Sequence, residues 1–222
     1  SMDEAILVLE QVTLLGEAGA PVLREATAQL SPGAKLCLAG PAGAGRSCLL
    51  RACAGLTVPT AGRILLAGVP FESLAFQHPL IRRGGLGWVP TSGGLLVNQT
   101  LRANAALPLR FTRKHSKASA EEEADRWLAA LGLSDRAHLR PHALDPTDRW
   151  MGALARAAAL GPDLWLVDRP PGALDPTEAQ RAARVLQEAS GAVLTAFEGP
   201  DPGGSRWILA AGRLSVEESH AT

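Results

Sequence analysis

Gly40, Gly43, Gly45, Arg46 and Ser47 fall within one short stretch and together have the means to hold an anion. A continuous apolar run, Lys35-Leu36-Cys37-Leu38-Ala39, leads into them, and a helical run over residues 47–54 follows, with Gly55 at its end. Glycines let backbone N–H groups turn inward, and the start of a helix adds positive potential, an arrangement suited to phosphate oxygens. Ser47 adds a hydroxyl for a divalent cation. Glycine-rich turns also arise for plain packing reasons in a chain with 23 glycines, but the readable strand before and helix after favour a phosphate loop. Arg46 stands where this loop carries lysine. Arginine is longer, planar and forked, so the exchange is not conservative at a tightly wrapped site.

These residues need elements to position them. Residues 6–9 and 12–15 read as short apolar strands before a turn at 16–20, and residues 63–67 as a strand closed by Gly68. Gly93-Gly94 is a break, residues 99–106 look helical, and residues 112–117 form a polar, basic connector. Ser119 and Glu122 then cap an amphipathic helix bearing Ala124, Trp127, Leu128 and Leu131, stopped by Gly132. The last third alternates again: a strand at 164–167 ending in Asp168, a helix at 177–189, and strands at 192–197 and 206–210. Strands alternating with helices argue an α/β core with a mainly parallel sheet.

Composition sets outer bounds. Lys+Arg and Asp+Glu both number 22, so no net field argues for nucleic acid. No apolar run approaches the ~20 residues of a membrane helix, and nothing reads as a secretory signal. Cys37, Cys48 and Cys53 lie in apolar stretches without metal spacing and are expected as reduced thiols.

From residue 6 to residue 214 the order of segments resembles the ABC-transporter ATPases, a likeness that covers almost the whole chain. Leu86-Gly87-Trp88-Val89-Pro90-Thr91 stands where the family has the strand ending in the Q-loop glutamine. Thr100-Leu101-Arg102-Ala103-Asn104 and Leu107-Pro108-Leu109 resemble the run that follows it. Leu144-Asp145-Pro146-Thr147-Asp148, ahead of Ala153-Leu154-Ala155-Arg156-Ala157, takes the place of the signature and its helix. Residues 164–168 match the Walker B strand, Ala173-Leu174-Asp175-Pro176 the D-loop, and residues 206–214 the closing strand pair. The run Leu107-Pro108-Leu109-Arg110 looks most like ATPases of lipid-trafficking importers.

The resemblance implies an α/β fold: a P-loop NTPase core of the ABC-ATPase type with an antiparallel β subdomain and an inserted helical subdomain. It implies one domain over 3–220, with the helical part at 93–160 and the core at 3–92 and 161–220. ATP and Mg²⁺ are the implied cofactors, with Gly40, Gly43, Ala44, Gly45, Arg46, Ser47 and Cys48 around the nucleotide and Ser47 and Asp168 on the metal. A membrane permease is the implied partner, docked in the groove near residues 91–109. Head-to-tail pairing follows, as a homodimer or with another ABC ATPase, in the cytoplasm or peripherally on the inner face of the membrane.

The family's hydrolytic residues do not carry over. Arg169 replaces the glutamate that activates water, and a guanidinium cannot accept a proton at neutral pH. Phe197 replaces the H-loop histidine, Thr91 the Q-loop glutamine, and Leu15 lies near the place of the adenine-stacking ring. At the signature, Asp145 suits an N-cap and Pro146 the first helical position. Yet proline offers no N–H, and Asp145 and Asp148 bring negative charge where the signature binds phosphate. Losing a general base costs about 10²–10⁴ in rate, and losing one charge-stabilising donor about 10²–10³. The catalytic set is therefore expected to be empty, with Thr91, Arg169 and Phe197 as its degenerate positions. The leading expectation is a catalytically impaired pseudo-ATPase serving a membrane transport complex. The alternatives are a working transport ATPase with an unusual residue set, and a soluble interaction module.

Overall fold

Two sheets organise the chain. The computed structural model describes residues 5–71, 75–113, 115–199 and 204–218; the expected domain limits, 3 and 220, lie outside them. In chain order the first half contains β1 (Leu7–Leu15), β2 (Pro21–Leu30), β3 (Lys35–Ala39), α1 (Arg46–Cys53), β4 (Ala61–Leu66), β5 (Val69–Pro70), α2 (Pro79–Arg82) and β6 (Leu86–Val89). The second half contains α3 (Leu101–Thr112), α4 (Lys117–Ala130), α5 (Pro146–Leu160), β7 (Leu164–Val167), α6 (Pro176–Glu188), β8 (Ala192–Thr195), β9 (Arg206–Ala210) and β10 (Arg213–Glu217).

The antiparallel sheet has the order β2-β1-β4-β5, and the larger mixed sheet the order β10-β9-β3-β8-β7-β6. Within the latter, β9, β3, β8, β7 and β6 pair in parallel, and β10 returns antiparallel to β9. This is the α/β fold with an antiparallel sheet that the sequence predicts. β7 is buried at every position, as a central parallel strand must be. Its side chains alternate between two cores. Leu164 and Leu166 pack with Leu7, Leu38 and Leu50, while Trp165 and Val167 pack with Trp150, Val193 and Phe197 among the helices. That clamp on both faces fixes where Asp168 emerges.

Several boundaries differ from the sequence reading, each for a physical reason. Residues 7–15 form one strand, bulged where Gln11 takes φ 48° and the register shifts between Leu9 and Val12. β2 carries no clear strand signal in the sequence because Glu25, at φ 45°, breaks its alternation between Leu23 and Ala26. α3 begins later than expected, behind the Thr100 cap, and continues through Pro108 to Thr112. Burial of Leu101, Ala105 and Leu109 outweighs an interior proline that costs ~3 kcal/mol. The cap of α4 is Ser116, whose hydroxyl accepts from the Ser119 N–H at 3.2 Å, and not Ser119 itself.

α5 begins as expected. The Asp145 side chain accepts from the Asp148 N–H at 2.8 Å, Pro146 follows, and Gly161 ends the helix in the left-handed region.

Candidate functional site

β3 delivers the chain to the glycine loop between β8 and β9. Gly40 has φ 149°, and a Cβ there would sit 2.1 Å from the Leu209 carbonyl oxygen, so no other residue fits. Gly45, at φ 101°, occupies the N-cap of α1, with Val22 of β2 packed against its Cα. No side chain caps α1. The N–H groups of its first turn therefore lack intrahelical acceptors and remain available to a ligand. A cleft of about 320 Å³ opens here, lined by residues 43–48 together with Glu17, Asp168 and Arg169.

Asp168 is only 4% exposed. Its N–H donates to the Val89 carbonyl at 2.8 Å, its own carbonyl accepts from Trp150 Nε1 at 3.1 Å, and its Oδ1 accepts from the Arg169 N–H at 2.9 Å. Ser47 and Asp168 line the same cleft, one hydroxyl and one carboxylate that could hold a divalent cation beside phosphate oxygens. Among the described residues no group of three or more His, Cys, Asp and Glu is placed to hold a metal without such a ligand.

A second cleft of about 730 Å³ adjoins the first and shares Arg46 and Arg169 with it. Gly40, Thr91, Phe197 and Glu198 also line it, so Thr91, Arg169 and Phe197, the three positions expected to be degenerate, come together around one space. Phe197 is largely core: it is 8% exposed and lies edge-on to Trp150, ring centroids 5.5 Å apart at 62°. Two carboxylates the sequence reading passed over reach these clefts, Glu17 from the β1–β2 turn and Glu198 after β8. Only the strand order β9-β3-β8-β7 brings Glu198 round to Arg169, and no local signal announces it. Leu15 is 45% exposed at the end of β1, adjacent to Gly16 and Glu17 of the first cleft. Cys48 lines that cleft as well; Cys37 is half-buried, and burial, then Glu198, pushes its thiol up.

At the start of α5 the helix dipole is met from within the chain. Asp148 is buried and takes a hydrogen bond from Arg136 Nη1 at 3.0 Å. Desolvation, then the charge of Asp145, raises its carboxyl above the usual aspartate range against the pull of Arg136. Carboxylates thus fill the place where an incoming anion would need free N–H groups.

The segment after Thr91 is pinned by two residues whose motifs the sequence shows but whose role it does not. Arg156 of α5 donates to the carbonyls of Gly93 and Gly94 at 2.9 and 2.8 Å. The buried Asn104 accepts from the Leu96 N–H at 2.7 Å and donates to the carbonyls of Leu96 and Thr100 at 3.1 and 3.0 Å. On this fixed backbone Leu96 and Val97 remain 46% and 76% exposed.

Comparison with known proteins agrees with this geometry. The family described as "ABC transporter" matches residues 23–171. The lipoprotein-releasing system ATP-binding protein LolD 1 of Rhodospirillum rubrum is 36% identical over 192 residues, covering 83% of each chain. The methionine import ATP-binding protein MetN 2 of Pseudomonas aeruginosa is 34% identical, over 75% of this chain and 49% of its own length. The dimeric structure of MJ0796, a bacterial ABC transporter cassette, aligns with a TM-score of 0.83 over 97% of this chain and all 100% of that one. At 23% identity that match speaks for the fold alone. Among the described residues no helix is long and apolar enough to cross a membrane.

Proposed function

We propose, from the premise that this chain belongs to the ABC transporter family, that it is an ATP-binding-subunit homologue which has lost efficient hydrolysis and serves a membrane transport complex as a structural or regulatory subunit. One observation carries the reading. Arg169 follows the buried Asp168 and lines both clefts, where a water-activating carboxylate would have to stand. Thr91 and Phe197 supply neither an imidazole nor an amide to the same space. The retained glycine loop, Ser47 and Asp168 support weak binding of ATP, with or without Mg²⁺, while hydrolysis falls to background.

The helical part, residues 93–160, and the core around it act as one domain on the cytoplasmic side of the membrane. A permease segment docks in the groove near residues 91–109, where Asn104 and Arg156 hold Leu96 and Val97 in place. The lipoprotein-releasing relatives make a lipid- or lipoprotein-handling transporter the favoured context. The complex contains two cassettes, a second copy of this chain or a different ABC ATPase.

Glu198 supports a second reading, that of a working ATPase with a relocated base, since its carboxylate lines the cleft that Arg169 and Thr91 share. Recovering the nucleotide after hours of incubation with Mg-ATP separates the two. Impaired hydrolysis leaves bound nucleotide as ATP. Accumulation of ADP that disappears in Glu198→Gln overturns the impaired reading in favour of the second.

A further inference from the structure

Arg46 and Arg169 both line both clefts, and among the described residues neither forms an ion pair. The carboxylates that share the clefts, Glu17, Asp168 and Glu198, make no hydrogen bond or ion pair with either guanidinium, and Asp168 Oδ1 is engaged by the Arg169 backbone N–H. A divalent cation placed between Ser47 and Asp168 would have two guanidiniums on the same walls. Relative to a glutamate at position 169, Arg169 adds two units of positive charge, which is the charge one Mg²⁺ ion would bring. Guanidinium is also the side chain best matched to phosphate oxygens, through paired N–H donors in a fixed fork.

We infer that the glycine loop takes a nucleoside triphosphate without a divalent cation, with Arg169 standing in for the metal at the terminal phosphate. This rests on the reading above that the loop binds nucleotide at all. Because that contact is to the third phosphate, which a diphosphate lacks, the triphosphate is preferred.

Titration of the purified protein with ATP and with ADP, in excess Mg²⁺ and in EDTA, tests the inference. The expected Kd for ATP in EDTA lies within about fivefold of that in Mg²⁺, with ATP at least about tenfold tighter than ADP. Arg169→Ala removes that preference and leaves the melting temperature unchanged, because the exposed Arg169 side chain makes no hydrogen bond or ion pair among the described residues. ATP binding that weakens more than about fivefold in EDTA, or a preference that survives Arg169→Ala, overturns the metal-free proposal alone. Absence of ATP binding in both buffers overturns the nucleotide-binding reading together with it.

Discussion

Trp150 Nε1 donates to the backbone carbonyl of Asp168 at 3.1 Å, and so ties α5 to the end of β7. Trp150 is fully buried, and its ring also meets Phe197 edge-on. One side chain thus links the helix in the signature position, the strand that carries Asp168 and the residue in the histidine position. In the proposed reading this frame is kept while Thr91, Arg169 and Phe197 stand where hydrolytic groups are expected.

Trp150→Phe should preserve most of the aromatic packing and leave the Asp168 carbonyl unpaired. A loss of about 1–3 kcal/mol is expected, seen as a fall of roughly 2–4 °C in Tm per kcal/mol for a chain of this size. Trp150→Ala should cost more, about 3–5 kcal/mol, through the cavity it leaves. Equal Tm values for Trp150→Phe and the parent protein would remove the bond from the account.

Gly40→Ala and Gly43→Ala should differ sharply. At Gly40 the new Cβ would stand 2.1 Å from the Leu209 carbonyl oxygen, so loop and strand must move apart. At Gly43, φ 76°, nothing lies within 4 Å, and the cost is only the left-handed backbone, about 1–2 kcal/mol. Denaturant unfolding of the two variants checks the order, and the reverse order would contradict the loop geometry.

Asp148 gives a pH signature. Its carboxyl is raised above the ordinary 3.8, first by desolvation and then by Asp145. Between 3.8 and the raised value the folded chain binds more protons than the unfolded one, so stability falls as pH rises through that window. Asp148→Asn removes this penalty and keeps an acceptor for Arg136. The stability gained by Asp148→Asn should therefore grow with pH across the window and level off above it. A gain that shrinks as pH rises would contradict the burial argument.

Asn104→Ala should release the segment after Thr91. It leaves the Leu96 N–H and the carbonyls of Leu96 and Thr100 without their side-chain partner. Unsatisfied groups of this kind cost about 1–3 kcal/mol. Limited proteolysis should find new cleavage around residues 96–100; an unchanged digestion pattern would mean that other contacts hold the loop.

What the sequence made legible was local. The glycine loop, the Asp145-Pro146 start of α5 and the apolar run of β7 each carry their own signal within a few residues. β2 did not, because positive φ at Glu25 shifts its inward set by one position. Pro108 suggested an end to α3 that packing overrides, and Ser119 looked like a cap because it lies one turn inside the true one, Ser116. Around the clefts, Thr91, Arg169 and Phe197 could be singled out from their motifs, but the presence of Glu17 and Glu198 could not. Both arrive through strand order, which no short stretch of residues encodes.

Phosphate release at saturating Mg-ATP, for the native chain beside Arg46→Ala, bears most directly on the proposed loss of hydrolysis. The two proteins are predicted to release phosphate at the same background rate, with or without the membrane partner. Turnover on the order of one per second in the native chain, lost in Arg46→Ala, would contradict the account.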